Sequence, residues 1–218
     1  MRLRVQKPRI NGAQRARYGQ FCTQFDSTQP VHQATVAKFS MDRTEVTVAA
    51  YKGCADAGKC ATPGTDTYCN WGKDGKSNHP INCVSWNDAM AYCLWAGKRL
   101  PTETEWEYAA RGTEGREYPW GSAGPTIQLC WHLSDGTCAV GSYPSGNTPQ
   151  GLVDMAGNVW EWTASNDCPY PSENCANAAR VNRGGSWYND DTRAFYGAFR
   201  DSDEPASRDA SVGFRCAR

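Results

Sequence analysis

The chain has 218 residues, enough for one sizeable hydrophobic core, so we expect a single domain to carry the function. Its 23 Lys and Arg residues balance 23 Asp and Glu residues, which argues against a dedicated nucleic-acid binder. No stretch approaches the apolar length that a membrane span requires. The nine Trp and ten Tyr residues need burial, which excludes a disordered chain.

The N-terminal segment is basic, because residues 1–17 carry six Lys and Arg side chains and no acid. We predict that residues 1–20 form a solvated, disordered arm rather than a device for binding polyanions. Residues 21–218 are then expected to form one domain.

The eleven cysteines predict an oxidising compartment, because proteins of the reducing cytosol rarely contain so many. The chain has no CxxC pair of the kind that would indicate a structural zinc site instead. We therefore expect a secreted, periplasmic or cell-surface protein. No apolar signal-peptide core follows the basic segment, which leaves two alternatives. Either a leader is removed before this numbering begins, or the inference of export is wrong.

The first predicted element is a strand in residues 31–41, where β-branched residues alternate with polar ones. Thr47 is expected to cap a helix that ends at Gly58. Gly, Pro, Asn and Asp dominate the next stretch, which is typical of loops. Cysteines in and before this stretch are expected to hold it by crosslinks: Cys54, Cys60, Cys69 and Cys83.

Two further helices are predicted from capping boxes. Ser85 and Asp88 begin a helix with one apolar face that stops at Gly97. A second capping box begins at Thr102, and Gly112 is the expected stop of that helix. Beyond Gly112 the frequent Gly and Pro residues predict turns and short strands.

Six motifs occur in chain order: DRTEVTVAAY from Asp42, HPINCVSWNDAMAYCLWAGKRLPTETEWEYAARG from His79, YPWG from Tyr118, GLVDMAGNVWEWT from Gly151, RGGSW from Arg183 and GFRCA from Gly213. Together they resemble the formylglycine-generating enzyme family, also called the sulfatase-modifying factor domain. The resemblance runs from about residue 31 to the C-terminus. It implies an α+β, C-type-lectin-like fold with little regular secondary structure, stabilised by disulfides.

The resemblance also implies a test for catalysis, because the family's signature oxidation of a cysteine uses copper held by two cysteine thiols. Copper(I) selects soft thiolates, so oxygen ligands cannot replace them. Here Asn189 and Ala194 stand near the two thiol positions, and no cysteine lies between Cys175 and Cys216. We therefore expect no copper and none of the catalytic residues of this activity.

An iron-dependent branch of the same superfamily uses clustered histidines. This sequence has three histidines, His32, His79 and His132, spaced about 50 residues apart. We expect each of them to make an ordinary surface or capping hydrogen bond.

The resemblance implies one calcium ion in the DMAGNVWEW segment, bound by the side chains of Asp154 and Glu161 and the carbonyls of Gly157 and Val159. Calcium prefers such hard oxygen ligands. The alternative is that Asp154 caps a turn and Glu161 meets an arginine.

Three disulfides are expected. The resemblance implies a bridge between Cys93 and Cys216, and short spacing predicts local pairing of Cys130 with Cys138 and of Cys168 with Cys175. The four cysteines between residues 54 and 83 would make two more bridges of unspecified pairing, and Cys22 is left over.

The segment 187–212 is rich in Tyr, Asn, Asp and Ser on irregular backbone, a composition that suits adaptable binding surfaces. Trp160 and Trp162 are expected in the core. The candidate ligand-binding residues are Trp187, Tyr188, Asn189, Asp190, Asp191, Phe195, Tyr196, Phe199 and Asp201.

These residues lead to the hypothesis of a non-catalytic, calcium-stabilised module that binds a protein, a glycan or a small molecule through residues 187–212. One alternative is a variable protein of a diversity-generating retroelement, which would share the fold. The other is an enzyme of the family whose unrecognised activity uses carboxylates around Asp190.

Overall fold

The computed structural model describes residues 2–4, 33–132, 135–170, 172, 175 and 179–218. Apart from residues 2–4, the predicted basic arm lies outside the described part of the chain, and so do Cys22 and His32. Residues 2–4 form strand β1 (Arg2–Arg4), antiparallel to β2 (Gln33–Thr35). The strand predicted for residues 31–41 is therefore shorter than expected, and Met41 makes only an isolated bridge to Ala217.

Three α-helices begin at the predicted caps: α1 (Val48–Asp56), α2 (Trp86–Trp95) and α3 (Glu103–Arg111). The Thr47 hydroxyl accepts a hydrogen bond from the Ala50 amide. The capping boxes at Ser85 and Thr102 are both complete, so the first backbone amides of α2 and α3 have partners inside the protein. All three sequence predictions of helices are confirmed.

The main sheet has four short strands in the order β5–β4–β3–β6. They are β3 (Trp160–Asn166), β4 (Arg180–Arg183), β5 (Arg200–Asp203) and β6 (Val212–Gly213). The β3–β4 and β4–β5 pairs are antiparallel, and β3–β6 is parallel. Short 3₁₀ turns at Pro144–Gly146 and Thr192–Phe195 interrupt the connecting loops. This α+β fold has little regular secondary structure, as expected.

The core is built from aromatic side chains of the helices and the sheet. Trp106 and Trp162 are 0% exposed, and Trp160 is 6% exposed, so both tryptophans of the WEW motif are core residues as predicted. Tyr51 of α1 stacks on Tyr92 of α2, with ring centroids 5.5 Å apart. Burial of these rings supplies much of the hydrophobic stabilisation.

Within the described ranges, five disulfides fasten the loops. Three of them are the expected pairs, and the pairing left open by the sequence is Cys54–Cys60 and Cys69–Cys83. The Cys93–Cys216 bridge joins α2 to the end of the chain across a sequence separation of 123 residues. By the chain-entropy account, a loop of this length is worth roughly 4 to 5 kcal/mol.

A buried ionic network holds the RGGSW segment against α3. Arg183 is 0% exposed, and its Nη2 donates to Glu107 Oε2 at 2.7 Å and to the Gly197 carbonyl at 2.9 Å. Its Nη1 donates to the Ala198 carbonyl at 3.0 Å. Arg200 of β5 pairs with Glu103 at 2.9 Å. These contacts fix both ends of the loop between β4 and β5, which carries most of the predicted binding residues.

Candidate functional site

A buried ion pair lies at the centre of the predicted calcium segment. Arg215 Nε and Nη2 each donate to Glu161 at 2.7 Å, and both side chains are at most 1% exposed. The Trp106 indole N–H donates to the same carboxylate at 2.7 Å. Three of the roughly four acceptor positions of Glu161 are therefore used within the protein. For Glu161, the contact with an arginine that was the alternative expectation is present.

Two further carboxylates lie near this pair. Asp154 accepts a hydrogen bond from the Gly141 amide at 2.7 Å, in a turn where its φ is 53°. Glu45 accepts from the Asn158 side chain at 2.7 Å and from the Val159 amide at 3.3 Å. Glu45 is 1% exposed and Asp154 is 8% exposed. Glu45 was not among the predicted site residues, because it lies more than a hundred residues away from this segment in the chain.

The buried cluster combines three carboxyl groups with one guanidinium, that of Arg215. Burial raises the pKa of Glu45 well above its ordinary value, and the charges of Asp154 and Glu161 raise it further. Burial is also the main cause that raises the pKa of Asp154. Among the described residues no three His, Cys, Asp or Glu side chains form a ready metal cage. A calcium ion here would therefore need main-chain oxygens in addition to carboxylates.

The segment 187–212 is only partly exposed. Tyr188 is 74% exposed, and Asp190 and Asp201 are also exposed. Asn189, Asp191, Tyr196 and Phe199 are half-buried.

Two of the predicted ligand-binding side chains are buried in the structure. Trp187 is 3% exposed, because its indole N–H donates to the Ala210 carbonyl at 3.2 Å and its ring packs against Tyr68. Phe195 is 1% exposed and meets Trp131 edge to face at 5.5 Å. Both rings support the surface from below, so the expectation that they offer ligand-contacting area is wrong.

Other half-buried members of the segment also make structural contacts. Tyr196 packs against Tyr118 with centroids 5.0 Å apart, and Phe199 packs against the core residue Trp160 at 6.0 Å. Asp191 pairs with Arg193, whose hydrogen bonds lower the pKa of that carboxyl below its ordinary value.

No thiol stands at either expected copper-ligand position. The Asn189 side chain accepts hydrogen bonds from the Ser186 amide and hydroxyl at 2.8 and 2.9 Å, which closes a tight turn. Ala194 is 5% exposed. All ten cysteines in the described ranges are in disulfides. The described histidines are separate as well, and His79 shares a 2.9 Å hydrogen bond with Thr137.

The disulfide-rich α+β domain with little regular secondary structure has the C-type-lectin-like fold of the formylglycine-generating-enzyme class. The sulfatase-modifying factor enzyme 1-like domain matches residues 8–218. The chain therefore belongs to this family.

Known relatives include active and inactive members by name. The formylglycine-generating enzyme of Streptomyces coelicolor is 44% identical over 173 residues, covering 66% of this chain and 54% of that enzyme. The inactive C-alpha-formylglycine-generating enzyme 2 of Bos taurus is 42% identical over 159 residues, covering 65% of this chain and 51% of that protein. The chain spans about half the length of these relatives.

The fold is also seen in PvdO from Pseudomonas aeruginosa. That structure superposes with a TM-score of 0.75 at 24% identity, covering 100% of this chain and 91% of PvdO. At this identity the likeness speaks for the fold alone. Within the described residues, no helix combines the length and apolar character that crossing a membrane requires.

Proposed function

We propose that this protein is a non-catalytic binding module built on a formylglycine-generating-enzyme scaffold. The proposal depends on one observation: the two expected copper-ligand positions carry an amide, at Asn189, and a methyl group, at Ala194, instead of thiols. Neither can act as the soft ligand that copper(I) requires. Family membership does not decide the matter, because active and inactive relatives are similarly identical to the chain.

The proposed binding surface is the exposed part of the segment 187–212. Arg183 and Arg200 fasten the underlying loop to Glu107 and Glu103. A loop fixed from below can present polar and aromatic side chains with little loss of entropy on binding. Tyr188, Asp190 and Asp201 are the exposed candidates, and Asn189, Asp191, Tyr196 and Phe199 form the partly exposed margin.

We propose that one calcium ion stabilises the domain at Asp154, Gly157, Val159 and Glu161. Three buried carboxyl groups, those of Glu45, Asp154 and Glu161, lie with one guanidinium, and a divalent cation would offset the repulsion between their charged forms. Glu161 keeps roughly one acceptor position beyond its contacts with Arg215 and Trp106. When bound, the ion would supply charge compensation and loop order rather than chemistry.

The number of disulfides supports a protein of an oxidising compartment, secreted, periplasmic or on the cell surface. A retroelement variable protein remains a variant of the same proposal. It requires a near-copy of the coding region for 187–212 beside the gene, and sequencing of that neighbourhood decides it.

The proposal is tested by incubating the purified chain with copper(I) and a cysteine-containing sulfatase peptide. We expect no loss of the peptide thiol and no formylglycine by mass spectrometry, with the Streptomyces coelicolor enzyme as positive control. Formylglycine in the peptide, or stoichiometric tight copper binding, would overturn the non-catalytic assignment.

A further inference from the structure

An aromatic surface on the protein joins the segment 187–212 to a distant loop. Trp187 contacts Tyr68 on one side, with ring centroids 5.2 Å apart, and Tyr188 on the other, at 5.5 Å. Tyr68 is 44% exposed and Tyr188 is 74% exposed, whereas Trp187 between them is buried. We call Tyr68, Trp187 and Tyr188 the aromatic triad. Tyr68 was not among the predicted binding residues, because it lies more than a hundred residues before the other two.

The aromatic triad is held rigidly from below. Asn82 Nδ2 donates to the Tyr68 carbonyl at 2.9 Å and to the Ala210 carbonyl at 2.7 Å. The Trp187 indole N–H donates to that same Ala210 carbonyl at 3.2 Å. The Cys69–Cys83 disulfide closes the loop next to Tyr68. Such a surface needs little ordering when it binds.

The surroundings of the aromatic triad are acidic. The segment 187–212 contains six Asp and Glu residues and three Arg residues. All three arginines are already in ion pairs, Arg193 with Asp191, Arg200 with Glu103 and Arg208 with Asp88. Two of these partners, Glu103 and Asp88, lie outside the segment. The other acids of the segment are therefore left without compensation by its arginines.

Several of these acids share one surface. Asp201 and Asp203 are two residues apart in β5 and therefore point to the same face of the sheet. Burial raises the pKa of Asp203, and the charges of Asp201 and Asp209 raise it further. Asp209 immediately precedes Ala210, the anchor of the triad, and Asp190 follows Tyr188 by two residues. The loop that carries Tyr68 already holds one ammonium group, because Lys73 Nζ donates to the carbonyls of Asp66 and Thr67.

We infer that the two exposed rings of the aromatic triad, Tyr68 and Tyr188, and the neighbouring carboxylates bind a cationic group, namely a lysine or arginine side chain of a basic peptide segment in a protein partner. Aromatic faces attract ammonium and guanidinium groups, and exposed carboxylates add charge complementarity. This inference rests on the proposed binding function and names the chemistry of its ligand.

The test uses the full chain and a fluorescently labelled octalysine peptide, with a labelled Gly-Ser peptide of equal length as the neutral probe. We expect octalysine to bind, the neutral probe not to bind, and the affinity for octalysine to fall as NaCl rises. Tyr68→Ala and Tyr188→Ala should each weaken octalysine binding about three- to tenfold, whereas Tyr188→Phe retains the ring and the affinity.

Two control variants separate the site from general charge. Ile127→Ala removes an apolar side chain that is 75% exposed elsewhere, and Glu114→Gln removes a charge beside Arg116. Neither should change the affinity for octalysine by more than about twofold. Asp209→Asn should weaken binding while its side-chain oxygen still accepts from Ser211.

Equal binding of both peptides, or octalysine binding unchanged in Tyr68→Ala and Tyr188→Ala, would overturn the inference. Binding of tetramethylammonium in the absence of any octalysine binding would also overturn the peptide partner and would indicate that the site takes a free small cation. If a neutral glycan array instead gives binding that Tyr188→Ala abolishes, the cationic ligand is wrong and the binding module stands. Formylglycine formation by the wild-type chain would instead overturn the proposed function itself.

Discussion

Glu161 and Arg215 form an ion pair that is sealed in the core, with two arginine nitrogens each 2.7 Å from the carboxylate. The same arginine donates to the carbonyls of Val153 and Arg43 at 2.8 and 3.0 Å, so it ties three segments together. Loss of one partner of a buried pair costs about 3 to 5 kcal/mol, because the other charge is left without compensation. Substitution of Glu161 therefore cannot separate a calcium ligand from an ion-pair partner.

Asp154 is the better residue for testing calcium. We expect a chelator to lower the melting temperature of the wild-type protein, because an ion bound only by the folded state stabilises it by mass action. Asp154→Asn should remove most of this difference, since Asn tolerates the positive φ and keeps an acceptor for the Gly141 amide. Differential scanning calorimetry with and without chelator measures both. An identical melting temperature for wild type with and without chelator contradicts the calcium site.

Truncation of Phe195 should lower the free energy of unfolding much more than truncation of Tyr188, although both residues lie in the same segment. Phe195→Ala is expected to cost about 3 to 5 kcal/mol of unfolding free energy, because the ring is 1% exposed. Tyr188→Ala should change it by no more than about 0.5 kcal/mol, because that ring is 74% exposed. Urea titrations of the two variants measure the difference. Equal losses would mean that Tyr188 is part of the core.

The long disulfide should matter more than a short one. Replacing Cys93 and Cys216 by Ala should cost roughly 4 to 5 kcal/mol, whereas replacing Cys54 and Cys60, which are 6 residues apart, should cost about 2 to 2.5 kcal/mol by chain entropy. Denaturant unfolding of the two double variants compares them directly. If removal of the Cys93–Cys216 bridge costs less unfolding free energy than removal of the Cys54–Cys60 bridge, the entropy of the unfolded chain is not the main source of the stabilisation by these disulfides.

The carboxylate of Asp203 should make stability depend on pH in an unusual direction. Burial and the charges of Asp201 and Asp209 raise its pKa in the folded state. Its contribution to stability is therefore present below the ordinary Asp pKa of about 3.9 and is lost as the pH rises through the folded value. Asp203→Asn should raise the melting temperature at pH 7 and leave it nearly unchanged near pH 3.

Asp191→Asn is the matched control for Asp203→Asn. Hydrogen bonds from Arg193 lower the pKa of Asp191, so its stabilisation is present above about pH 4 and is lost as the pH falls. This variant should lower the melting temperature at pH 7. Shifts of the same sign in both variants would contradict the assigned directions.

Local signals explain what the sequence predicted well. Thr47, Ser85 and Thr102 cap their helices because a hydroxyl satisfies free amides within three residues, which is a short-range interaction visible in the chain. The paired Trp160 and Trp162 were recognised as core from their place beside the buried Asp154–Glu161 loop. The Cys93–Cys216 bridge came from the family resemblance, because nothing local links residues so far apart.

Long-range contacts explain what the sequence missed. Trp187 and Phe195 were predicted as binding residues from composition, but their burial depends on Tyr68 and Trp131, which come from other loops. The carboxylate of Glu45 reaches Asn158 across 113 residues, so no spacing rule could include it in the charged cluster. Whether a side chain in an irregular segment is exposed depends on which loops, distant in the sequence, pack over it. The residue type alone does not indicate this.

The Cys93–Cys216 bridge also determines how the domain bears mechanical load. The final residues bridge to Arg99 and Met41 through Ala217, and the adjoining Cys216 is covalently fixed to α2. Tension applied at the C-terminus would therefore pass into α2 through a covalent bond, and the β3–β6 pair would not be pulled apart from its end.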